Sequence, residues 1–153
     1  HRMALVGGVP FARLATAEAA WPTAAARDQG YRFGGYRLDP DRRPVFRYKL
    51  GDLVIEDFPR PVRTRREPDL ERTLTLTRSS VDPPGPLWYR VASGKSIEPL
   101  AEGWWMVDGA LRVRVTTPDG TRAIRRNRPG GRELLLPVRF QDGRATIVHR
   151  YSW

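Results

Sequence analysis

From Tyr31 onward, apolar and polar residues alternate in short runs, and each run is cut by Gly, Pro or Asp. Side chains along a strand point alternately to opposite faces, so this period of two predicts strands with one buried face. Tyr31–Phe33 and Tyr36–Leu38 flank Gly34-Gly35, a pair that predicts a bulge or a close backbone approach. Val45–Leu50 and Leu53–Phe58 predict a hairpin across Gly51-Asp52. In Leu70–Arg78, Leu74 and Leu76 alternate with Thr73, Thr75 and Thr77, with a slip of phase between Leu70 and Leu74. Leu87–Ala92, Gly103–Val107 and Ala110–Thr116 continue the series, with Ser96–Leu100 a weaker member. Thr121–Arg126, Glu133–Phe140 and Ala145–Trp153 complete it. Asp108-Gly109, Asp119-Gly120 and Asp142-Gly143 stand between apolar runs, as tight hairpins favour, so the second half predicts a meander. Ser79–Pro86, with three prolines and a glycine, is the clearest long loop.

About ten short strands with almost no helical periodicity predict an all-β fold, an antiparallel β-sandwich, over residues 30–153. Residues 1–29 differ. Their alanine-rich stretch is broken at Trp21-Pro22, which predicts an irregular arm packed on the sheet and anchored by Trp21. At 153 residues the chain suits one domain. It begins at His1 rather than a methionine, as expected of a processed product or a piece of a longer polypeptide. No apolar run approaches the ~18–20 residues of a membrane helix, so membrane insertion is not expected.

Charge changes the picture less than its size suggests. The net charge of +10 invites a phosphate-rich partner, yet the only lysines are Lys49 and Lys95, and the arginines are spread along the chain. Many alternate with apolar residues, as in Leu111-Arg112-Val113-Arg114-Val115, which places them on solvated strand faces and argues against nucleic acid. The denser stretches, residues 60–66 and 122–132, suit an acidic protein, an anionic glycan or a phosphate.

Candidate chemistry is sparse. Without cysteine there is no thiol catalysis, thiolate metal site or haem attachment. No nucleophile elbow, phosphate loop or paired-histidine metal motif is present. Asp39 with Asp41, Glu56 with Asp57, and Glu98 with Glu102 are close carboxylates; turns and solvated strand faces account for them. Trp88-Tyr89 and Trp104-Trp105 are better candidates, because strand neighbours face opposite ways. One ring of each pair is expected in the core and the other exposed, as a platform for a sugar ring or as cover for a neighbouring domain or the arm.

The chain ends offer a second chemistry. The α-amine and ring of His1, with His149 as a third nitrogen and Tyr151 axial, would hold copper in a tetragonal site. That ligand set resembles the histidine brace of lytic polysaccharide monooxygenases, and implies a small oxidative copper enzyme. A broader likeness rests on Pro10–Leu14, Ala20-Trp21-Pro22, residues 30–48 and 56–62, Leu70–Thr77, Leu87–Pro99, residues 105–113 and 130–140, and the closing Trp153. Together these resemble an accessory β-domain of large planctomycete-type multidomain proteins that carry c-type cytochrome and sugar-dehydrogenase-like propeller domains. The resemblance implies a non-catalytic module without a cofactor, in the periplasm or outside the cell. Its partners would be neighbouring domains or subunits of a redox or carbohydrate-active assembly, or a glycan.

Overall fold

The computed structural model describes residues 8–63, 68–79 and 85–153. They form an all-β fold of two antiparallel sheets, as the alternation predicts. The strands are β1 (Phe11–Arg13), β2 (Tyr31–Leu38), β3 (Pro44–Leu50), β4 (Leu53–Arg63), β5 (Pro68–Arg78), β6 (Leu87–Gly94), β7 (Ile97–Pro99), β8 (Trp104–Val107), β9 (Leu111–Thr116), β10 (Ile124–Arg128), β11 (Gly131–Pro137) and β12 (Arg144–Ser152). The small sheet runs β1-β6-β11-β10 and the large one β2-β3-β4-β5-β12-β9-β8-β7. Among the described residues no helix is long and apolar enough to cross a membrane.

The core lies between the sheets. Leu53 and Ile55 of β4, Leu74 and Leu76 of β5 and Ile147 of β12 face Tyr89, Val91, Leu134 and Leu136 of the small sheet. The phase of β5 proves continuous: Leu70, Arg72, Leu74 and Leu76 share a face, and Arg72 stands in an apolar row. The second half is not a simple meander. β7, β8 and β9 are a meander, but the β10–β11 hairpin belongs to the other sheet, and β12 returns between β5 and β9. Accordingly Asp108-Gly109 and Asp142-Gly143 make tight turns with both residues at positive φ, whereas at Asp119-Gly120, in the loop that changes sheets, only the glycine does.

The arm supplies β1, a short edge strand that the pattern did not predict, paired with β6. It then covers the outer face of the small sheet, where Ala12, Leu14 and Trp21 pack on Trp88 and Leu135. Trp21 Nε1 donates to the Val9 carbonyl at 3.2 Å. Below it, buried Glu133 accepts from Arg90 at 3.3 Å and from Arg126 at 2.7 Å, and Arg126 also donates to the Ala17 carbonyl at 2.7 Å. A 3-10 turn, Ala26–Gln29, carries the chain across to β2 on the other sheet. Where the arm and β1 part from β2 to β5, the sandwich stays open.

Candidate functional site

That opening is a cleft of about 630 Å³, within the usual range of ligand sites. Its walls are Phe11 and Val91 on one sheet and Tyr31, Phe33, Tyr48 and Ile55 on the other. Alternation on β2 to β4 sends these side chains inward. Tyr31 is fixed by its hydroxyl, which accepts from the Phe11 amide at 3.0 Å and donates to the Phe11 carbonyl at 3.3 Å. Burial raises its pKa despite the bond to the Phe11 backbone.

The floor is polar. Asp57, 7 % exposed, follows Leu53 and Ile55 in the inward row of β4, and Arg72 lies in the inward row of β5. Arg72 grips Asp57 with two bonds, Nε to Oδ1 at 3.2 Å and Nη2 to Oδ2 at 2.6 Å. Burial, the largest single influence, opposes the arginine's charge, but the hydrogen bond to Asp57 and the electrostatic attraction of the groups around it together outweigh burial and raise the pKa. The remaining guanidinium arm donates to the Tyr151 hydroxyl at 3.1 Å. Tyr151 and Tyr89 place their hydroxyls 3.0 Å and 2.7 Å from Nδ1 of His149.

His149 is fully buried, with its ring stacked 4.0 Å from that of Tyr151. Burial, and then the positive charge of Arg72, hold its pKa well below the ordinary histidine value. It is therefore neutral near pH 7. Nδ1 thus stands within hydrogen-bond reach of both phenol hydroxyls, one of which also accepts from Arg72. Nε2 is buried without a hydrogen-bond partner among the described residues. Burial also pushes Tyr89 up, so its hydroxyl keeps its proton.

This floor can hold hydroxyl groups: Asp57 and the Tyr151 oxygen accept, and Arg72 donates. Among the described residues that line the cleft, Asp57 is the sole carboxylate, so the paired carboxylates of glycoside hydrolysis are not assembled there. Asp39 and Asp41 bind Arg43 in the β2–β3 turn, and Glu98 pairs with Arg125 and Arg132.

The residues singled out by sequence go to different places. Tyr89 lies in the core and at the cleft. Trp88 points to the opposite face, as expected, but is 8 % exposed rather than open, because the arm covers it. Trp104 is half-buried with the Arg114 guanidinium 5.0 Å above its ring, and Trp105 packs against the core with Arg125 at 6.0 Å. His1 lies outside the described residues. His149 and Tyr151 do come together, but in the interior, with the tyrosine hydroxyl turned onto Nδ1.

Sequence reasoning missed Asp57, Arg72, Tyr31 and Phe33 as site residues. The signal for the first two was there: a carboxylate and a guanidinium in the apolar phase of neighbouring strands. No family model, curated protein or solved structure matches the chain.

Proposed function

We propose that this chain is a non-catalytic β-sandwich accessory module that binds a saccharide in the cleft between its sheets. It would serve a redox or carbohydrate-active assembly outside the cytoplasm. The observation that carries the binding reading is the union of aromatic walls with the Asp57–Arg72–Tyr151 floor in one open cleft. Aromatic rings cover the apolar faces of a sugar, while a fixed carboxylate, guanidinium and phenol satisfy its hydroxyls. A purely apolar ligand would leave that floor unmatched, at the cost of desolvating its polar groups. The groups are tied to one another and none is a free acid, base or nucleophile, which favours holding a ligand over transforming it.

The test is calorimetric titration with plant, algal and bacterial oligosaccharides against the wild type, Phe33→Ala and Trp104→Ala. Phe33 is 62 % exposed, so its loss should leave the melting temperature within about 2 °C. Phe33→Ala is expected to weaken binding about tenfold, and Trp104→Ala to leave it unchanged. The opposite pattern would move the site to the β8 face and overturn the cleft.

A further inference from the structure

Among the described residues, three of the large apolar side chains that stand exposed lie on a single strand: Phe33 at 62 %, Tyr36 at 65 % and Leu38 at 50 %. Isolated exposed apolar residues need no explanation, but a contiguous group on an edge strand is a liability unless it is used. The local backbone shows how the group arises. Phe33 and Tyr36 are an odd number of positions apart, so on a regular strand they would face opposite ways. Between them the register shifts, with Phe33 opposite Tyr48 and Tyr36 opposite Phe46. The extra residue is taken up at Gly34-Gly35. Gly35 has φ +94°, which a side chain disfavours, and a Cβ on Gly34 would press on the Arg47 carbonyl at 3.3 Å.

The bulge therefore turns Tyr36 back onto the face of Phe33. The result is two cross-strand aromatic pairs in line, Phe33–Tyr48 at 5.5 Å and Tyr36–Phe46 at 6.3 Å between ring centres, followed by Leu38 opposite Pro44. The first pair is the cleft wall and the rest lies beyond its mouth. Phe33 to Leu38 spans about 13 Å, at ~6.7 Å for each pair of residues along a strand. No side chain of this row is charged; by alternation Arg37, Arg47 and Lys49 of the same two strands belong to the other face, whereas Arg32 borders the cleft itself.

Resting on the cleft reading, we infer that this row is an outer subsite and that the ligand is an uncharged polysaccharide chain. One end of the chain enters the cleft, and the following sugar units lie along the Tyr36–Phe46 pair. Continuity with the cleft sets the direction of the chain. Beyond the cleft mouth the row carries no charged side chain, so it offers anionic sugar units no ion pair and suits uncharged ones.

The experiment is a chain-length series: one, three and six units of β-1,4-glucan, β-1,4-mannan, β-1,4-xylan, chitin and α-1,4-glucan oligosaccharides, titrated against the wild type, Tyr36→Ala and Phe33→Ala. The expected result is that one series binds with an affinity rising about tenfold from one unit to six. Tyr36→Ala should remove that gain and leave the single sugar unaffected, while Phe33→Ala weakens both. Equal affinity at all lengths, or a gain that survives Tyr36→Ala, overturns the outer subsite and leaves the cleft standing. Failure of every series to bind the wild type overturns both. Tyr36 is exposed, so unchanged melting of the variant is the control for folding.

Discussion

Strands β4, β5 and β12 carry two polar rows one residue apart, and the two rows are held by different physics. On the inner face, Asp57, Arg72, Tyr151 and His149 form a chain in which each group is the partner of the next. On the outer face, adjacent strands place Arg60, Glu71, Arg150, Arg114 and Trp104 side by side in one register row. Arg60 is half exposed where it meets Glu71. Inside, a removed partner leaves a desolvated charge; outside, water takes its place. The same strands thus build a rigid cleft floor on one side and a tolerant surface on the other.

The largest expected effect breaks the inner row. Arg72→Ala strands Asp57 and removes a donor from Tyr151, and should cost about 3–5 kcal/mol in urea unfolding. Arg60→Ala, a comparable truncation of an outer pair, should cost less than about 1 kcal/mol. The double variant Asp57→Leu with Arg72→Met should recover most of the loss, because a packed apolar pair tolerates burial that a lone carboxylate does not. Equal costs for the two single variants would erase the contrast between the faces.

A proton tests the same contrast more gently. The pKa of His149 is lowered by folding, so below the unfolded value of about 6.5 the unfolded chain binds a proton that the folded ring refuses. Stability is then complete above about pH 6.5 and declines as the pH falls, with a slope approaching ~1.4 kcal/mol per pH unit. Arg72 and Tyr89, whose own pKa values are raised, face the ring and keep their protons in that range. Unfolding free energies from pH 7.5 to 5.0 should show the slope, and His149→Gln should flatten it. Ring nitrogen shifts of the folded wild type should stay those of a neutral imidazole throughout. Protonation of the folded ring near pH 6.5 would contradict the buried network.

How much of this is legible from the residues follows from the same two faces. Alternation marks strands because burial of one face is a local, periodic signal, and it places Leu53, Ile55, Leu74 and Leu76 correctly. Sheet membership is not local. β10 and β11 follow β9 through an Asp-Gly pair that reads in sequence like those of the hairpins, yet they join the other sheet, where β11 pairs with β6, because Leu134 and Leu136 fill the core from the opposite side. Trp88 shows the limit for site residues. Its direction follows from its neighbour, but its cover comes from Leu14 and Trp21, more than sixty positions away. Asp57 and Arg72 read as ordinary surface charge until the register places both in inward rows.

The smallest expected effect lies at the end of the outer row. Arg114 and Arg150 are directly opposite on neighbouring strands, an arrangement that costs a few tenths of a kcal/mol when the charges are alike. Arg150 is relieved by Asp69, with its Nε 2.8 Å from the carboxylate, whereas Arg114 lies over the Trp104 ring. Its cation–π contact is worth ~0.5–1 kcal/mol at an exposed site, close in size to the repulsion it offsets. Arg114→Leu keeps an apolar cover on Trp104 and removes both terms, so unfolding should change by less than about 0.5 kcal/mol. Salt separates the two contributions. Screening weakens the repulsion in the wild type, so any advantage of Arg114→Leu at low ionic strength should vanish by about 0.5 M NaCl. A loss above about 1 kcal/mol at every salt concentration would mean that the outer row is held as tightly as the inner one.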